Sequence, residues 1–168
     1  MQPQIEEQKV DYRPLGISGL GGWLVLVQIG LYLTMIMVLV QLFQYSLTAL
    51  NPGTWEILTS DQSSFYHPWW GAIIIFEVTY NVLFFIFSIV TLVMFYRKKS
   101  VFPRLMIIFY SMSLAVSIID YLLLLQIPIA RELEDGSGLT GIVRLVITCA
   151  IWIPYFIKSE RVRNTFIR

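Results

Sequence analysis

The sequence is poor in charge. Its 168 residues hold 12 Lys and Arg and 11 Asp and Glu, or 14 % of the chain. An average soluble domain carries about 25 %. A soluble domain of this length needs a charged surface, and these few groups cannot supply one. Cysteine and histidine are scarcer still, with one of each, Cys149 and His67. A lone cysteine excludes a disulfide scaffold. One histidine and one cysteine also make no metal site and no nucleophile–base set. The sequence therefore points away from an enzyme, and no catalytic residue, metal or cofactor is expected. Low polarity excludes a disordered chain. Hydrophobic residues, by contrast, make up 57 % and aromatics 15 %, and the mean hydropathy is +0.69.

The few charges leave long gaps. None lies between Arg13 and Glu56. Apolar runs cover 22–43, 69–96, 103–126 and 139–157. Each is long enough to cross a hydrocarbon core of about 30 Å at about 1.5 Å per residue. In lipid the backbone must satisfy its own hydrogen bonds, so the spans are helices. No period-2 alternation suggests a barrel. The expected fold is all-α, a polytopic four-transmembrane-helix bundle, with residues 1–168 as one integral membrane domain. The polar start and the length of the first span do not fit a secretory signal. Neither end carries a lipidation motif.

Basic residues predict the orientation. Lys9 and Arg13 precede the first span. Arg97, Lys98, Lys99 and Arg104 lie between the second and third. Lys158, Arg161, Arg163 and Arg168 follow the last. The segment 44–68 has no Lys or Arg, and the last loop has only Arg131, beside Glu132, Glu134 and Asp135. The positive-inside rule puts both termini in the cytoplasm. Trp23, Tyr96, Trp152 and Tyr155 then lie toward the cytoplasmic interface and Trp69 and Trp70 at the outer one. These are the levels that amphipathic rings prefer.

Two stretches carry a resemblance. One is Gly19-Leu20-Gly21-Gly22-Trp23-Leu24-Val25-Leu26 with Ile29-Gly30-Leu31. The other is Ile151-Trp152-Ile153-Pro154-Tyr155-Phe156 with Ser159-Glu160-Arg161-Val162-Arg163-Asn164-Thr165-Phe166. Together they resemble the YdgK-like family of bacterial inner-membrane proteins, a domain of unknown function. The two stretches bracket nearly the whole chain. The resemblance implies four transmembrane helices in a bacterial inner membrane and no particular activity. Glu160 stands where a basic residue is expected.

The polar residues inside the spans are the candidates for function. At about 100° per residue, Glu77, Asn81, Ser88 and Thr91 fall on one stripe of the second span. Ser113, Ser117 and Asp120 share a stripe of the third, Arg144, Thr148 and Tyr155 one of the fourth, and Gly30, Thr34, Gln41 and Tyr45 one of the first. Polar groups facing lipid are costly, so the four stripes are expected to face inward. Counting from the turns places Glu77, Asn81, Asp120 and Arg144 in the outer half of the bundle. A charge at the bilayer centre costs about 2.5–3.5 kcal/mol on insertion scales. Two readings follow for this cluster. Either Glu77 and Asp120 form a proton or cation site with Arg144 as counter-ion, or Asp120 and Arg144 pair and fasten two helices together. Pro154 is expected to bend the last helix.

The tail from Lys158 to Arg168 places Val162 and Phe166 four apart among basic residues. It reads as a continuation of the last helix lying on anionic lipid, with Arg161, Arg163 and Arg168 as lipid or partner contacts. The basic residues are flush with the membrane, so nucleic acid is not expected. Trp55, Phe65, Tyr66, Trp69 and Trp70 suit headgroup anchoring or a partner surface. The expected partners are the bilayer, its anionic lipids, and a membrane protein or a second copy. The leading functional reading is a non-catalytic accessory or interaction protein of the inner membrane. The alternative is a small transporter or proton-coupled channel using the intramembrane acids.

Overall fold

Four long helices carry the architecture of the computed structural model, which describes residues 16–167. Helix α1 (Trp23–Ala49), α3 (Trp69–Tyr96), α4 (Phe102–Leu124) and α6 (Ser137–Lys158) are each long and apolar enough to cross a membrane. Three short helices join or follow them: α2 (Pro52–Thr59), α5 (Pro128–Glu132) and α7 (Glu160–Thr165). No strand occurs among the described residues. The chain is an all-α, polytopic four-helix bundle.

Local chemistry sets the helix ends. Asn51 caps α2, its side chain accepting from Gly53 N at 3.2 Å, and Pro52 occupies the first turn, where no N–H is missed. Helix α3 ends with Lys98 in the left-handed region at φ 52°. Lys99 N donates to Met94 O and Lys98 N to Phe95 O, both at 3.1 Å, which closes the helix end in a Schellman turn. Helix α6 starts at Gly136, also left-handed, where Asp135 Oδ1 accepts from Ser137 N at 3.0 Å and Glu134 Oε1 from Gly138 N at 3.1 Å. The Ser137 hydroxyl and N–H hold the Asp135 carboxyl below its ordinary pKa. Pro154 is accommodated within α6.

Helices α4 and α6 form the most extensive pair, while α3 packs on both α1 and α4. Helices α1 and α6 meet edge-to-face through Trp23 and Trp152, whose rings are 6.2 Å apart. That contact lies at the end of the bundle holding residues 16–22 and 158–167, called here the termini end. The core is densest there. Phe95, Phe102, Met106, Phe109, Phe156 and Phe166 are buried together against Leu24, Val27 and Leu31. Phe102 stacks on Phe166 at 4.4 Å and meets Phe95 at 5.1 Å.

Two elements depart from the sequence expectations. Helix α1 extends to Ala49, past the expected 43, and contains a π-helical segment over Leu42–Ser46. Leu24, Leu31 and Val38 are buried at steps of seven, so an unbroken helix would next bury Tyr45. The wider π turn carries one extra residue per turn. It therefore brings in Ser46, 2 % exposed, and leaves Tyr45 66 % exposed. The tail does not continue α6. Ser159 is extended, at φ −70° and ψ 122°, and its Oγ caps α7 by accepting from Val162 N at 3.4 Å. Val162, Thr165 and Phe166 then turn into the bundle. Arg161 packs its guanidinium over Gly21 and Gly22, Arg163 is exposed, and Arg168 lies outside the described residues.

Candidate functional site

The half of the bundle away from the termini is less filled. A cavity of about 610 Å³ lies there between α1, α3 and α4. Its floor is polar. Glu77 and Asn81 reach it from α3, Ser117 and Asp120 from α4, and Ser46 and Gln41 from α1. The π turn explains the presence of Ser46, to which Asn81 Nδ2 donates at 3.4 Å. No helical wheel drawn at constant pitch finds this residue. The walls are apolar and aromatic, with Phe76, Tyr80, Phe84 and Val38. Tyr80 stacks on Phe84 at 5.2 Å and Phe84 on Phe109 at 4.5 Å, so the wall continues into the core.

Glu77 from α3 and Asp120 from α4 line the same cavity. An ionised carboxylate only accepts hydrogen bonds. Two carboxyls therefore bond each other only when one carries a proton. Asp120 Oδ1 is buried and makes no hydrogen bond. Among the described residues, no side chain lining the cavity is basic. The two acids share the cavity with hydroxyl and amide side chains that can donate, Ser46, Tyr80, Asn81 and Ser117 among them.

Glu77, Asn81 and Asp120 come together in this cavity, and Arg144 does not join them. Arg144 is exposed on the outside of α6, whose next residue, Leu145, is the only part of that helix lining the cavity. Three further stripe residues bond to their own helices, while the buried Tyr155 hydroxyl on the α6 stripe makes no hydrogen bond. Ser88 Oγ donates to Phe84 O at 2.7 Å, Thr91 Oγ1 to Phe87 O at 2.8 Å and Ser113 Oγ to Phe109 O at 2.9 Å. Ser88 and Thr91 are fully buried and satisfied, so they offer nothing to a ligand. Thr34, Gln41 and Tyr45 line the cavity from α1, while the buried residues of its Trp23–Gln41 stretch, Leu24, Val27, Leu31 and Val38, are apolar. Among the described residues no group of His, Cys, Asp and Glu has the arrangement of a metal site.

The two sequence stretches that carry the family resemblance are far from this cavity but close to each other. Gly19 N donates to Thr165 Oγ1 at 2.8 Å, Arg161 covers Gly21 and Gly22, and Trp23 meets Trp152. No curated protein and no solved structure matches the chain. Residues 17–167 match one family, described as a protein of unknown function. With its four long apolar helices and nearly its whole length inside that match, the chain belongs to the DUF2569 family.

Proposed function

We propose that this protein is a small transporter or proton-coupled channel that uses the Glu77–Asp120 pair as its intramembrane site. One observation carries the reading. Two carboxyls from different helices line one cavity, and Arg144 is not among the lining side chains. A purely structural acid in a span is expected to pair with a base, as buried charges do. These acids instead border a space large enough for a ligand. We place the protein in a bacterial inner membrane, as a YdgK-like protein with both termini cytoplasmic. The distribution of Lys and Arg supports that orientation, and the cavity then lies in the outer half. Ion flux in proteoliposomes under an imposed pH gradient tests the reading. Glu77→Gln and Asp120→Asn should each abolish the flux, and unchanged flux in both would refute it.

A second reading, a non-catalytic accessory or interaction protein, is favoured by Arg144. A guanidinium on the outer face of a membrane helix suits an acidic residue of a partner helix, whether from another protein or a second copy. Arg161, Arg163 and Arg168 would add contacts to anionic lipid. Purification in mild detergent tests it. Recovery of the protein alone, as a monomer, counts against this reading.

A further inference from the structure

We propose that the cavity takes an amphipathic amine, an ammonium head on an apolar body, which enters sideways from the lipid between α1 and α6. The proposal rests on the acid-site reading above and names the ligand class for it.

Four features of the site select this chemistry. The first is charge. Glu77 and Asp120 both line the cavity, and among the described residues no basic side chain does. A primary ammonium brings a positive charge and three N–H donors to such a pair of acids. The second is the wall. Phe76, Tyr80 and Phe84 line the cavity with aromatic carbon that suits the apolar body of such a ligand. The third is size. The cavity, about 610 Å³, falls within the range of about 300–1,000 Å³ usual for organic ligands. A proton or a bare metal ion leaves most of that space unused.

The fourth is the entrance. Helices α1 and α6 are joined at the termini end by Trp23 and Trp152 and make little other contact. Beyond that point α6 gives the cavity only Leu145, while Leu33, Met37 and Tyr45 of α1 line it and stay 56 %, 60 % and 66 % exposed. The opening therefore faces the side of the bundle, where the surroundings are acyl chains. The termini end is closed by the Phe95, Phe102 and Phe166 cluster. A hydrated inorganic cation cannot use a path through hydrocarbon, whereas an amphiphile already dissolved in the bilayer reaches it by lateral diffusion. The proton balance also closes. An amine arriving uncharged while one of the two carboxyls is protonated takes that proton and becomes an ammonium beside two carboxylates, with no change in net charge.

Native mass spectrometry of the full chain in a nonionic detergent tests the proposal, with dodecylamine and its neutral counterpart 1-dodecanol as probes. The expected result is retention of one dodecylamine, at least about tenfold tighter than dodecanol, as for a desolvated charge pair. Glu77→Gln, Asp120→Asn and the cavity-filling Leu145→Trp should each lower retention by a similar factor. Equal retention of amine and alcohol, or none of either, would overturn the proposal, and that comparison needs only the wild-type protein. Discs of phosphatidylglycerol, with and without phosphatidylethanolamine, identify the source. Displacement of dodecylamine by the ethanolamine lipid indicates a lipid headgroup, and undisturbed binding indicates a free lipophilic amine. Both results support the ligand class. If dodecylamine is not retained but Glu77-dependent proton flux persists, this inference fails and the acid-site reading stands. If it is retained without such flux, the transport reading fails.

Discussion

Thr165 and Gly19, 146 residues apart, exchange two hydrogen bonds. Gly19 N donates to Thr165 Oγ1 at 2.8 Å, and the same hydroxyl donates to Gly19 O at 3.3 Å. Thr165 is 3 % exposed, so water cannot replace it. Thr165→Val keeps the shape and leaves a partly buried N–H and C=O unpaired. The expected cost is about 1–3 kcal/mol, read as a lower Tm in detergent. Thr165→Ser should restore most of it. A Val variant as stable as wild type would show that the tail is held by packing alone.

The turn after α3 offers the opposite effect. Lys98 sits at φ 52°, where a side chain crowds the following carbonyl and glycine does not. Lys98→Gly should raise the stability by about 0.5–1 kcal/mol, the relief of about 1–2 kcal/mol of left-handed crowding less glycine's entropy cost of about 0.5–1 kcal/mol. Thermal unfolding in one detergent, with Lys99→Gly as the control at a neighbouring position, measures it.

The acid pair makes its own stability prediction. Glu77→Gln still offers N–H donors to Asp120, and without borrowing a proton. Glu77→Leu offers none and leaves a buried carboxyl facing carbon. The Leu variant should be less stable than the Gln variant by about 1–3 kcal/mol. Equal melting temperatures would mean that the two carboxyls do not depend on one another.

Arg144 and Asp120 should not behave as a pair. Arg144→Leu is expected to change stability by no more than about 0.5 kcal/mol, as surface substitutions do. Asp120→Arg combined with Arg144→Asp should not recover the protein level lost in Asp120→Arg alone. Recovery would place the two charges together in the membrane and would revive the helix-fastening role.

At the loop end, Asp135 accepts from the Ser137 hydroxyl and N–H, which lowers its pKa. A carboxyl lowered on folding adds stability that is complete above its unfolded pKa of about 3.9 and is lost as pH falls through the folded value. Carbon-detected NMR should therefore find the Asp135 carboxyl titrating below about 3.9. Ser137→Ala should move the midpoint back up. A midpoint at or above the reference value would contradict the cap.

Hydropathy made the four spans legible, because length and missing charge are what a bilayer demands. The pairing of Glu77, Asn81 and Asp120 in the same half was also readable, from spacing and from distance to the turns. Three features were not. Ser46 enters through the π turn, and no residue in Leu42–Ser46 announces a change of pitch. Val162 and Phe166 look alike whether they face lipid or protein, since both surroundings are apolar. Their place under the bundle depends on Phe102 and Gly19, which are remote in sequence. Arg144 shares a wheel stripe with Thr148 and Tyr155, but which side of α6 a neighbour covers is decided by the close α4–α6 packing.

The fold of the tail bears on how the protein is made. Residues 160–166 leave the ribosome after all four spans, yet Val162, Thr165 and Phe166 complete the packing around Leu24, Phe95 and Phe102. Insertion into the bilayer and completion of the core are therefore separate events, and the second waits for the final residues. A chain truncated after Lys158 would be threaded but unfinished, with the aromatic cluster uncovered and the Gly19 backbone unclaimed.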